Sequence, residues 1–399
     1  MWVPTAEAEI RSAIDNGTLV ETAWFDAKQE LPARGRNKDL AKDICAMTIE
    51  GGVLLYGIGG ADPTRPDQLI PFDRTGASER IDQVAQTGIR EPPTVEMHDV
   101  DSLEQPGLGY LCVAVPASPR APHMVTIDSD NRYWGRGATG NRILPEGEVA
   151  RLYERREHWE LDRDELLGAA VVSMPFDFDL AEHGVILVTV RPVVPLQELL
   201  RVAAASQPID EFIQQYLTAA AREVDPYPDQ GTSGFGEAFQ VSRAGAERWI
   251  SSRDADLSFP YQARVELTAD GGISYWHAPI INTGQQSRVI MERSVTRAVC
   301  QALGAGAFLY KRAGFHGSID VGIAVLGIET VGGATLIRAF SGPPTYGAPD
   351  YRRHTRVSSA ELRDHETLTR RLLAPLFEVI SVRGFDPFAE RTDRRGQVR

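Results

Sequence analysis

The tightest constraint on this chain lies between Glu21 and Gly60. Apolar and small residues at Leu40, Ala41, Ile44, Cys45 and Thr48 repeat at helical spacing, and Asn37 stands where an N-cap belongs. The run then meets Gly51-Gly52, which ends the helix and opens the strand Val53 to Ile58. That strand is apolar almost throughout, as a buried strand is. Upstream, Glu21 to Glu30 reads as a strand-like segment, and Leu31 to Arg36 as a loop. Glu21, Asp26 and Lys28 place two carboxylates and an amine in the first of these. No other segment concentrates charge, glycine and a buried strand in this way.

The rest of the first region is built around that passage. Residues 5–16 read as an amphipathic helix with Ile10 and Ile14 on one face. A loop rich in Asp and Pro runs from Ala61 to Asp73, and a helix from Ala77 to Gly88 is stopped before Pro92-Pro93. Strands are expected over Thr94–Val100 and Tyr110–Val115, a short strand edge or turn at Tyr133–Arg136, and a charged helix over Leu144–Trp159. Beyond Leu161 the pattern predicts a strand over Gly184–Val190 and helix over Leu196–Val224, interrupted at Pro208. A turn-rich loop then covers Asp225–Gly234. Alternation over Gln262–Leu267, a helix over Glu292–Leu303, strands over Ile319–Ile328 and Ala334–Phe340, and a final helix over Ser358–Ile380 kinked at Pro375 complete the reading. Helices and strands mix irregularly, so the expected class is α+β rather than a doubly wound sheet. The domain expectation is 1–160, then an α+β domain over 161–385, then a basic flexible tail over 386–399.

Several function classes are disfavoured. No Gly-x-x-x-x-Gly-Lys-Ser/Thr loop occurs, and Gly135 to Gly140 spells a dinucleotide pattern without a helix to follow it. Cys45, Cys112 and Cys300 are scattered, and the eight histidines show no paired metal spacing. The expectation is therefore a reduced, cytoplasmic protein. No apolar run is long enough for a membrane span and the N-terminus lacks a signal-peptide pattern. The net charge of −13 argues against broad affinity for polyanions. Against that, Lys28, Arg34, Arg36, Lys38 and Lys42 lie close together in sequence, although Asp39 and Asp43 interleave with them.

The landmarks from Glu21 to Arg156 resemble the Alba-like domain of Schlafen proteins. They run Glu21-Thr22-Ala23-Trp24-Phe25-Asp26-Ala27-Lys28, then Cys45 to Gly52, then Gly57-Ile58-Gly59-Gly60, then Pro122-His123, Arg132 to Gly137, and Leu144 to Leu152. The resemblance implies nucleic-acid binding, to RNA (tRNA-like) or DNA, with Lys28, Arg34, Arg36, Lys38, Lys42 and Arg136 as candidate contacts. In catalytic members it implies endoribonuclease action by three carboxylates that hold Mg²⁺ or Mn²⁺, in roles such as phage defence or stress response. Two of these map onto Glu21 and Asp26. The third falls at Gly60, which has no side chain, and Asp62 is the nearest substitute. The set carried forward as catalytic and metal-binding is therefore Glu21, Asp26 and Asp62. A single copy of the motif implies a homo-oligomer. The competing reading is a non-catalytic DNA-binding regulator or a self-assembling scaffold. Trp24 and Trp134 are core residues by default, with base stacking as the alternative. His123 reads as structural, and Arg352, Arg353, His354 and Arg356 form a basic run near Tyr351 whose functional reading is a second nucleic-acid contact.

Overall fold

The computed structural model describes all residues except 1, 23, 63, 138–139, 175–178, 195–197, 206, 228–239, 244–247, 254–261, 284–287, 336–343, 384 and 389–399. The protein is α+β and divides into two compact units. One unit is Met1–Glu160 with His316–Ser318, and the other is Leu161–Phe315 with Ile319–Arg399.

In the first unit, α1 (Glu7–Asp15) precedes β1 (Phe25–Lys28), α2 (Asn37–Met47) and β2 (Gly52–Tyr56). The short strands β3 (Ile58–Gly59) and β4 (Gln68–Leu69), α3 (Ala77–Gly88), β5 (Ile89–Arg90), β6 (Glu96–Asp101) and β7 (Gly109–Val115) follow. Then come β8 (Met124–Val125), β9 (Arg132–Gly137), β10 (Gly140–Ile143) and α4 (Glu146–Val172). The main sheet has the order β1-β2-β7-β6. β1 is parallel to β2, with Asp26 opposite Leu54 and Lys28 opposite Tyr56, and the other pairs are antiparallel. A second antiparallel sheet has the order β10-β9-β8-β5.

Period-two alternation along β2 explains the layering. Leu54 and Tyr56 pack with Leu40, Ile44 and Met47 of α2 and Ile81 of α3, whereas Val53 and Leu55 pack with Ile10 of α1. Each such fully buried aliphatic side chain contributes about 1.5–3 kcal/mol. α2 ends at Met47, four residues before the expected glycine stop, with Thr48 at its cap, and after a turn Gly51 at φ +81° releases the chain into β2. Asn37 is the first residue of α2, and Arg36 occupies the cap position.

The expected Tyr133–Arg136 element is one arm of the hairpin β9–β10. The charged helix expected to stop at Trp159 runs on to Val172, and the boundary between the units falls inside it.

In the second unit a seven-stranded sheet takes the order Gln240–Arg243, Arg248–Arg253, Gln262–Thr268, Ile273–Ala278, Val185–Pro192, Ser318–Leu326, Asp350–Ser358. The buried helix Glu292–Arg312 packs into its large apolar core with His365–Ile380. Pro208 does interrupt the helical stretch after Leu199. The final helix breaks at Asp364, which caps the following segment by accepting from the Thr367 N–H. The strand expected over Ala334–Phe340 falls outside the described residues beyond Thr335, as do the tail beyond Phe388 and the Asp225–Gly234 loop from residue 228 onward.

Candidate nucleic-acid interface

The register of β1 decides what its charged residues do. Asp26 and Lys28 share the strand face that α2 covers, while Phe25 and Ala27 face the opposite core. A carboxylate carried under a helix needs partners, and the fold supplies a closed ring of them. The Lys28 ammonium lies 3.2 Å from Asp26 and 3.4 Å from Asp43 of α2. Asn141 of β10 donates to Asp43 at 2.6 Å, and its carbonyl accepts from Arg136 at 3.3 Å. Arg136 of β9 closes the ring by donating to Asp26 at 3.0 Å, and it also donates to the Thr22 carbonyl at 3.3 Å.

These environments shift the titrations. Burial would lower Lys28, but Asp43 and Asp26 more than offset it, so its ammonium is held above its ordinary range. Burial raises the Asp43 carboxyl despite Lys28. Glu21 hydrogen-bonds with Asp26, and burial together with that neighbour pushes it up to about 7. The Tyr56 hydroxyl is buried without a hydrogen-bond partner among the described residues, and burial and the two aspartates raise it well above its usual value.

The candidate residues therefore separate. Glu21 and Asp26 meet. Asp62 is exposed and accepts from the Thr64 N–H at 2.9 Å and the Thr64 hydroxyl at 2.7 Å, an Asx turn complete in itself. A Cβ at Gly60 would collide with the Asp67 carboxylate, so Asp67 occupies the space that a side chain at 60 would take. Among the described residues, Glu21, Asp26 and Asp62 do not form a three-ligand cluster. A divalent ion needs free oxygens around an open centre. Here Lys28 and Arg136 already hold Asp26 and Thr64 holds Asp62, so the donor set does not offer that centre. Asp43, whose sequence position inside α2 hides its proximity to β1, is the acid the fold adds.

The basic candidates are mostly engaged within the fold. Arg36 and Lys42 pair with Asp39 at 2.7 and 3.4 Å, Lys38 with Asp130 at 3.0 Å, and Lys42 stands 4.7 Å over the Trp134 ring. Arg34 is exposed. Trp134 donates to Asp130 at 2.8 Å and packs on the core, whereas Trp24 is 62% exposed with its backbone carbonyl fixed by the Val53 N–H. His123 is buried between the Glu91 carbonyl and the Ser118 hydroxyl, which fits a structural role. In the second unit, Arg356 forms a bidentate pair with Asp320 and Arg352 pairs with Asp350, so two members of that run are engaged within the fold.

A cavity of about 390 Å³ opens beside this network, where α2 ends and β9, β10 and α4 approach. Four arginines line it: Arg136, Arg142, Arg151 and Arg155. Glu148 accepts two hydrogen bonds from Arg142, and Glu50 accepts one from Arg155. Four guanidinium groups face two carboxylates across the cavity, and Arg136 is also paired with the buried Asp26 behind it. Arg151 falls in the Leu144–Leu152 landmark with nothing there to mark it as a contact, and Arg142 and Arg155 carry no motif spacing that single-sequence reading could use.

Residues 21–145 match the family model described as Schlafen, AlbA_2. The first unit contains a Schlafen AlbA_2 domain. The match covers the polar ring and Arg136 and Arg142 of the cavity, and it ends before Arg151 and Arg155. The family points the AlbA_2 domain to a nucleic-acid-related function. No curated protein matches the chain. No helix among the described residues is long and apolar enough to cross a membrane.

Proposed function

We propose that the first unit binds nucleic acid by seating backbone phosphate in the cavity that the AlbA_2 domain forms with the start of α4. The observation that carries this reading is the convergence of Arg136, Arg142, Arg151 and Arg155 on one concavity. Guanidinium forks match phosphate oxygens in geometry, and Arg155, whose partner Glu50 is exposed, is the paired arginine most open to exchange. The exposed ring of Trp24 is suited to stacking on an unpaired base. RNA (tRNA-like) and DNA are both candidate ligands. Fluorescence anisotropy with labelled RNA and DNA tests the proposal. Arg151→Glu and Arg142→Ala are expected to weaken binding about tenfold or more and to reduce the salt slope by about one each. Equal affinity of both variants and the unaltered protein would remove the cavity from the interface.

A second reading is cleavage of tRNA-like RNA by the Glu21–Asp26 pair, in phage defence or stress response, with Mn²⁺ or Mg²⁺ entering only where RNA draws Lys28 and Arg136 away from Asp26. The contact between Glu21 and Asp26 favours it, because a carboxyl pair that holds a proton near neutral pH can serve proton transfer. Its expected mark is RNA cleavage that the Glu21→Ala, Asp26→Ala double variant loses. Binding without cleavage in either metal favours the non-catalytic role. One motif copy per chain also suggests a homo-oligomer, which light scattering of the full chain checks.

A further inference from the structure

We propose a second, separate site in the first unit: Glu96, His98 and His316 bind a borderline divalent cation of the zinc class. It uses none of the residues assigned to nucleic acid or to the carboxylate ring. Glu96 and His98 stand two apart on β6, so they project from the same face of an edge strand. His316 comes from the His316–Ser318 segment of the same unit. Its Nδ1 lies 3.0 Å from Glu96 Oε2, and His98 Nε2 lies 3.9 Å from that oxygen. One ligand atom from each of the three falls within 4.8 Å of the others.

These spacings decide between a site and a chance grouping. Ligands at about 2.1 Å from a tetrahedral ion stand about 3.4 Å apart. The two observed separations bracket that value, so small side-chain rotations bring the atoms into place. The imidazole rings are 6.1 Å apart and inclined at 74°, edge to face rather than stacked. All three residues are half-buried, so the backbone fixes them while an ion and water still reach them. Two imidazoles and one carboxylate are the donors that Zn²⁺, Co²⁺, Ni²⁺ and Fe²⁺ accept, whereas Mg²⁺ and Ca²⁺ favour oxygen alone. Three protein ligands leave one position for water, the arrangement of a reactive rather than a closed structural site. The cysteines take no part, because all three thiols are buried.

The test uses the full chain after chelator treatment. Calorimetric titration with Zn²⁺ is expected to show one equivalent bound at micromolar affinity or tighter, unaffected by excess Mg²⁺. Co²⁺ is expected to give the visible bands of a low-symmetry four- or five-coordinate ion without a thiolate charge-transfer band. His98→Ala and His316→Ala should each weaken binding by about a hundredfold or more, with circular dichroism unchanged. Glu96→Gln keeps the shape, and it should weaken binding through the lost charge. No saturable binding below millimolar Zn²⁺, or binding that survives the double His98→Ala, His316→Ala change, overturns the proposal. Nucleic-acid affinity measured on the same variants is expected to stay within twofold, so the two proposals fail independently.

Discussion

At the scale of single residues, Lys28 joins the two buried aspartates of the ring. Replacing it with Met leaves Asp43 with only Asn141 and removes one of the two cations on Asp26. Breaking a buried pair by deleting one partner is strongly destabilising, so Lys28→Met is expected to lose about 3 kcal/mol in urea unfolding at neutral pH. Arg36→Ala, which removes an exposed pair with Asp39, should change stability by less than about 0.5 kcal/mol. Glu21 adds a pH signature. Its carboxyl titrates near 7 in the folded chain against 4.5 as its ordinary value. Between those values the folded state holds more protons than the unfolded one, so this group makes stability fall as pH rises from 4.5 to about 7. Glu21→Gln is expected to flatten that part of the stability profile, measured by denaturant unfolding across the range. A profile unchanged by the substitution would mean that Glu21 does not hold its proton in the fold.

At the scale of elements, the junction of α2 with β2 is where local sequence speaks most clearly. A Cβ on Gly52 would collide with the Met47 sulfur and meet the Trp24 carbonyl at 3.1 Å. The sulfur can rotate away, but the backbone oxygen is fixed in the sheet. Gly52→Ala is therefore expected to destabilise by about 1–2 kcal/mol in thermal unfolding. Gly147 is the control, since a Cβ there meets nothing in the first turn of α4. Gly147→Ala should be neutral or stabilising by up to about 1 kcal/mol. α2, α3, β2 and β7 were legible because their apolar positions repeat at 3.6 or fill a buried strand. The β9–β10 hairpin is polar and glycine-rich, and its strands are held by pairing rather than by a hydrophobic face. Nor do charged edge strands such as Asp350–Ser358 show the alternation that marks a half-buried one.

At the scale of the whole molecule, a chain of net charge −13 binds a polyanion only where its field is locally reversed. The arginine-lined cavity is the place proposed for that reversal, with Arg136, Arg142 and Arg155 exchanging carboxylate partners for phosphate. If they carry the contact, the logarithm of affinity should fall with the logarithm of salt at a slope of about −2 to −4. Anisotropy titrations at several salt concentrations read it directly. A slope near zero would argue for binding without phosphate contacts.

The sequence by itself determined the α+β class, the α2–Gly-Gly–β2 frame and the AlbA_2 resemblance. Each of these rests on residues near one another in the chain, where periodicity and glycine conformational freedom act. Only the tertiary structure decided which charges meet. Asp43 joins Asp26 because α2 lies across β1, and Arg136 arrives from a hairpin 110 residues away. Asp62 is taken by its own turn, and His316 approaches Glu96 across 220 residues of sequence. Electrostatic partnership depends on distance in space and on burial, and neither is written in local spacing.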